Sequence, residues 1–111
     1  LGGIHEDKPS YKGFIWDVLI SASLLRKQGS KADFWLYYRL SPDSSLDIMP
    51  SELLDFLNAS GIRVKQLAKP EVKSFGQLVF DKFLTFNMTD YKRVMFLDAD
   101  TIPMTNLDYY F

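Results

Sequence analysis

The chain contains no cysteine, so disulfide bonds and thiolate metal sites are excluded, although this absence does not by itself identify a redox compartment. Histidine is nearly absent too, and no second imidazole exists to share a metal ion with His5. Neither sign of charge is in excess: 13 basic and 14 acidic residues leave a net charge of -1, which argues against a broad nucleic-acid surface. The pairs Lys8 and Lys12, or Lys65 and Lys69, are too sparse to make one. No stretch approaches the roughly 18 consecutive apolar residues of a membrane span. The first residues lack the basic and apolar regions of a signal peptide, so any secretory signal is expected outside this chain. Repeats, low-complexity tracts and linkers are missing as well. What is present is 111 residues with 47% apolar content, which makes a soluble globular class and allows one core, hence one domain or less.

Residues 1–10 show no periodicity and predict a loop, in which a lone His5 is expected to be a solvated surface residue. Phe14, Ile15, Val18, Leu19, Ala22 and Leu25 fall at helical spacing, and Arg26 and Lys27 precede Gly29, which predicts a first helix over Tyr11 to Gln28. The aromatic run Asp33 to Leu40 predicts a strand closed by Ser41-Pro42-Asp43. Pro50 suits the first position of a second helix that carries Leu53, Phe56 and Leu57 and ends near Gly61. Ile62 to Leu67 predicts a short strand broken by Lys69-Pro70-Glu71. Ser74 to Met88 predicts a third helix with Phe75, Leu78, Val79 and Phe86 on one side and Lys82 in the middle of that side. A lysine there either lays its stem along the core while the ammonium reaches water, or carries its charge to an anion near the strand ends.

The run Arg93-Val94-Met95-Phe96-Leu97-Asp98-Ala99-Asp100 predicts a strand without polar alternation, covered on both faces inside a sheet, with two carboxylates at its C-terminal end. Helix and strand alternate along the chain, which favours parallel strands and a Rossmann-like α/β layering. In such sheets ligands bind beyond the carboxyl ends of the strands, where paired hard oxygen donors suit Mg²⁺ or Mn²⁺ bridging to phosphate. Solvated turn residues, or a cap for the following segment, would also place acids there. Because the chain opens on a loop and a helix where such folds open on a strand, it is expected to be an internal piece of a larger domain.

Two enzyme classes place Asp-x-Asp after an apolar strand. Haloacid-dehalogenase-like phosphatases follow it with glycine and threonine, using the first Asp as nucleophile; here Thr101 follows directly and the glycine is missing. The order Phe83-Leu84-Thr85, then Tyr91 to Thr101 with Leu97-Asp98-Ala99-Asp100-Thr101, then Asn106-Leu107-Asp108 and Phe111, resembles the glycogenin-like glycosyltransferases of family 8. The resemblance covers Lys82 to Phe111 most fully; upstream it is mainly an order of elements.

That resemblance implies a GT-A nucleotide-diphospho-sugar transferase fold, with residues 1–111 as the partial catalytic domain that binds the donor, lacking the first strand and the C-terminal half. It implies that Asp98 and Asp100 hold Mn²⁺ (or Mg²⁺), that Asp98, Ala99, Asp100 and Lys82 meet a UDP-sugar, and that Tyr11 corresponds to a tyrosine stacking on uracil, with its spacing to Gly13 one residue short of the family's. The third metal ligand in the family is a histidine further downstream, a role His5 does not take. The implied reaction moves a hexosyl group from the UDP-sugar to a hydroxyl of a carbohydrate or protein acceptor with retention. A domain whose acids no longer serve chemistry is the reading from another class. Asn58-Ala59-Ser60 and Asn87-Met88-Thr89 fit the N-glycosylation acceptor pattern and are compatible with an endomembrane address.

Overall fold

A computed structural model describes residues 1–71 and 79–110. The stretch Ser74 to Leu78 of the expected third helix, with Phe75 and Leu78, lies outside the described residues, as does Phe111. The described elements in order are helix α1 (Tyr11–Lys27), strand β1 (Phe34–Tyr38), helix α2 (Ser51–Ala59), strand β2 (Ile62–Gln66) and two 3-10 helices, Asp81–Asn87 and Asp108–Tyr110. Through β2 helix and strand alternate as the sequence predicts; the expected third helix is 3-10 over Asp81–Asn87, where residues three apart stack on one another.

Helix α1 buries Ile15, Ala22 and Leu25 along one stripe. It ends where its chemistry says it should: Arg26 and Lys27 fill the last turn, and Gly29 takes a positive φ of 88°. The amide of Ser30 donates to Leu25 O at 3.0 Å and that of Gly29 to Arg26 O at 2.9 Å, so the two crossed bonds of a glycine-closed helix end satisfy carbonyls the helix leaves open. Pro50 sits one place earlier than predicted, as the residue before α2, with an extended ψ of 133°.

Strands β1 and β2 pair in parallel, Phe34 opposite Ile62 through Tyr38 opposite Gln66, with α2 as the crossover between them. Leu36, Tyr38 and Ile62 turn to the core, where they meet Ile15 and Ala22 of α1 and Leu57 of α2. The other face carries Trp35 and Tyr37 under the cations of Arg63 and Lys65, 5.5 and 5.4 Å from the ring centres.

The N-terminal loop is not solvated along its whole length. Ile4 forms a parallel bridge to Leu40, and the chain there is pulled onto the end of β1: Arg39 N donates to Leu1 O, and Ser41 N to Ile4 O at 2.8 Å. His5 follows Ile4 under this cover and is 8% exposed, which corrects the expectation of a surface imidazole. Its Nδ1 accepts a bond from the Asp7 amide at 3.0 Å.

The largest departure is at residues 93–98. No strand forms there, and Val94, Phe96 and Leu97 are 40%, 46% and 37% exposed, where the sequence predicts a strand covered on both faces. The physical reason is the lack of a ladder partner. Extended chain becomes a strand only when its N–H and C=O groups pair with a neighbour, and a cavity separates this segment from β1.

Candidate functional site

That cavity has a volume of about 910 Å³ and runs between α1, β1, the first 3-10 helix and the segment 93–101. Lys82, Asp98, Ala99 and Asp100 all line it, so four of the five residues singled out in the sequence share one wall system. Tyr11 does not join them. It is 5% exposed in the core beside Ile4 and Ile15, and burial pushes its hydroxyl pKa above the ordinary value.

The cavity has a direction. Tyr91 stands at the start of β1: its hydroxyl donates to Asp33 Oδ2 at 2.8 Å and accepts from Trp35 Nε1 at 2.9 Å and Arg63 Nη1 at 3.1 Å. At the other end, Leu1 N donates to Tyr37 O at 2.9 Å, and the fields of Asp81 and Asp98 both reach this amine. The segment from Tyr91 to Asp98 therefore runs the same way as β1, and the acidic pair and Lys82 gather at the end where β1 finishes. This is the end at which parallel sheets bind ligands.

Two anchors hold that end and a third ties the segment after Asp100 to the residues just before β1, and the sequence singled out none of them for a role at the site. Arg39 is 7% exposed and forks onto Asp81, Nε to Oδ2 at 2.8 Å and Nη2 to Oδ1 at 2.6 Å, fixing the 3-10 helix next to Lys82; its Nη1 donates to Ala68 O. Ser21 of α1, buried, donates through Oγ to Thr101 O at 2.6 Å, directly after the acidic pair. Asp108 accepts from Ser30 Oγ and from Lys31 N at 2.7 Å, while Asn106 Nδ2 donates to Gln28 O at 3.1 Å. The segment after Asp100 is thus tied to the closed end of α1. The Ser30 hydroxyl, then the Lys31 amide, hold the Asp108 carboxyl below the usual carboxylate range. The signal for Asp108 was present in the sequence as part of Asn106-Leu107-Asp108, though its role was not.

Lys82 is exposed, and neighbouring Phe80, Phe83 and Phe86 stack in sequence with centroids 5.9 Å apart. That spacing follows from the 3-10 geometry, in which residues three apart eclipse. The Lys82 side chain is therefore not sunk in a core, and its place in the cavity wall leaves the ammonium available to an anion. Among the described residues no group of three or more His, Asp or Glu is placed to hold a metal ion, and Asp98 and Asp100 line the cavity together with Asp33, Asp81 and Asp108.

A family model described as "Mannosyltransferase putative" matches residues 12–111. The chain belongs to this glycosyltransferase family. Among curated proteins, it is similar to UDP-glucuronate:xylan alpha-glucuronosyltransferase 2 of Arabidopsis thaliana, 28% identical over 107 residues that cover 92% of this chain and 17% of that protein. It is also similar to inositol phosphorylceramide glucuronosyltransferase 1 of the same plant, 57% identical over 30 residues, which are 27% of this chain and 6% of that protein. The chain thus spans 17% or less of the length of these relatives. No solved structure matches it. No helix of the described residues is long and apolar enough to cross a membrane.

Proposed function

We propose that this chain forms the donor side of a metal-dependent glycosyltransferase of GT-A fold and family 8 type. The reaction is transfer of a hexosyl-type group from a UDP-sugar to an acceptor hydroxyl with retention at the anomeric carbon. The observation that carries this reading is the convergence of Asp98, Ala99, Asp100 and Lys82 on one cavity, in a chain of a glycosyltransferase family. The relative named for UDP-glucuronate supports a UDP-sugar as the donor class.

Two carboxylates with open faces fit Mg²⁺ or Mn²⁺, which keep further positions for phosphate oxygens. Asp98 and Asp100 would hold the ion, and when bound it neutralises charge on the departing diphosphate. Other groups of the chain position the donor. The Lys82 ammonium pairs with a phosphate oxygen, and Arg39 with Asp81 keeps its helix in position. Ser21 and Asp108 hold the chain that follows the acids, so the backbone carrying the carboxylates is held before the donor arrives. In the overall change the bond from the anomeric carbon to the diphosphate oxygen breaks, UDP leaves with the bonding pair, and the acceptor oxygen bonds to that carbon as its proton passes to the departing diphosphate.

The test is release of UDP from UDP-glucuronate and UDP-glucose by the full-length protein with Mn²⁺. Asp100→Ala should lower the rate by about 100-fold or more, the scale seen when a transition-state charge partner is removed. UDP release unaffected by this substitution would contradict the reading, as would an acid-labile phosphoryl group on Asp98.

A further inference from the structure

Two of the chain's three asparagines begin an Asn-x-Ser/Thr triplet, and the fold treats the two triplets differently. Transfer of a glycan to asparagine needs the hydroxyl of the third residue beside the amide of the first, as in the local turns that Asn, Ser and Thr side chains form. Asn58 stands in the last turn of α2, which runs on through Ala59. Positions two apart on a helix lie roughly 200° from one another, so Asn58 and Ser60 sit on opposite sides. Ser60 is also held there: its amide donates to Phe56 O at 3.0 Å, and its carbonyl accepts from Arg26 Nη1.

Asn87-Met88-Thr89 lies where the 3-10 helix ends. Met88 has a φ of -83° and a ψ of 61°, the values of an inverse γ turn, which bends the chain about its central residue. Asn87 and Thr89 are exposed on either side of the bend, while Met88 between them lines the cavity. The helix that leads there carries a row of rings at the surface: Phe80, Phe83 and Phe86 are 66%, 49% and 78% exposed and stack on one another. An apolar strip of this kind marks a contact. The C–H faces of sugars suit it, because aromatic ring faces carry the negative side of the quadrupole.

The place of the bend is fixed. Tyr91 N donates to Met88 O at 3.1 Å, and the Tyr91 hydroxyl is bonded to Asp33, Trp35 and Arg63 at the start of β1. Asn87 therefore stands at the amino end of the strands, away from Asp98 and Asp100.

We propose that Asn87 is an N-glycosylation site, and that the inner sugars of its glycan lie on Phe86 and Phe83. The co-substrate is an oligosaccharide joined through diphosphate to a membrane lipid, used by an oligosaccharyltransferase of the secretory pathway. Asn87 Nδ2 bonds to the anomeric carbon and gives up a proton to a base of that enzyme. The bond from the carbon to the diphosphate oxygen breaks, and the lipid diphosphate leaves with the bonding pair. This inference is independent of the donor-site reading, because the glycan and the acids stand at opposite ends of the strands.

Peptide mass spectrometry of the full-length protein, made in a eukaryotic secretory host, tests it. Peptide-N-glycosidase in water labelled with ¹⁸O should convert Asn87 to labelled aspartate, and Asn87→Gln should abolish that label. An Asn87 that stays unmodified would overturn the proposal, whether or not Asn58 is occupied. The contact with the rings has its own readout. Removing the glycan from the folded protein should raise binding of an apolar fluorescent dye, and the rise should be lost when Phe83→Ser and Phe86→Ser are combined. Equal dye binding with and without the glycan would overturn the contact, as would the same rise in the double variant. UDP release is measured separately, so this site can fail while the donor site stands.

Discussion

Arg39 is the side chain on which the geometry of the acidic end most depends. It is nearly fully buried, and all of its fork is used, on the Asp81 carboxylate and on Ala68 O. Arg39→Met leaves Asp81 with a desolvated carboxylate and no cation, and should cost about 3 kcal/mol, the lower end for breaking a buried pair because Asp81 keeps some contact with water. Denaturant unfolding of the full-length protein would measure it. Asp108 and Glu6 govern the response to acid. Ser44 and Ser45 hold the Glu6 carboxyl below its ordinary pKa, as Ser30 and Lys31 do for Asp108. The folded state therefore binds fewer protons than the unfolded state in the acid range. The contribution is full above the ordinary carboxylate values of about 4 and is lost as pH falls through the lowered ones. Asp108→Asn should lower stability at neutral pH and flatten the acid limb of a stability-against-pH curve, the two curves converging as pH falls; an unchanged limb would remove Asp108 from this role. At this scale the sequence made Lys82, Asp98 and Asp100 visible, because residue type and position relative to an apolar run are local facts. It hid Arg39, Ser21 and the burial of His5, since their partners stand 42 and 80 residues away for the first two and a loop folding back decides the third.

The elements α1, β1, α2 and β2 were legible for a different reason: each carries its own period and its own stop. Gly61 is such a stop. It takes a φ of 70° between α2 and β2, and a Cβ there would lie 3.1 Å from Arg26 Nη2, whose guanidinium caps this turn through Ser60 O and Gly61 O. Gly61→Ala should destabilise by about 1–2 kcal/mol from the left-handed backbone alone, read as a lower thermal midpoint. Residues 93–98 were not legible in the same way. Their composition is that of a buried strand, but strand formation is a property of a pair, and the pairing edge of β1 stands across the cavity.

For the molecule as a whole, a small α/β unit with a parallel two-stranded sheet brings the acidic pair and Lys82 to the carboxyl end of its strands. The sequence carried the glycosyltransferase reading through a local motif, and the family match over residues 12–111 upholds it at that level. Asp98 and Asp100 are proposed to hold a divalent ion that would offset the charge of the donor's diphosphate. Calorimetric titration of UDP into the full-length protein reads it directly. UDP should bind in the presence of Mn²⁺, lose about tenfold or more in affinity with EDTA, and lose as much in Asp100→Ala with Mn²⁺ present. Equal UDP affinity in the wild type and Asp100→Ala, with and without the metal, would contradict it.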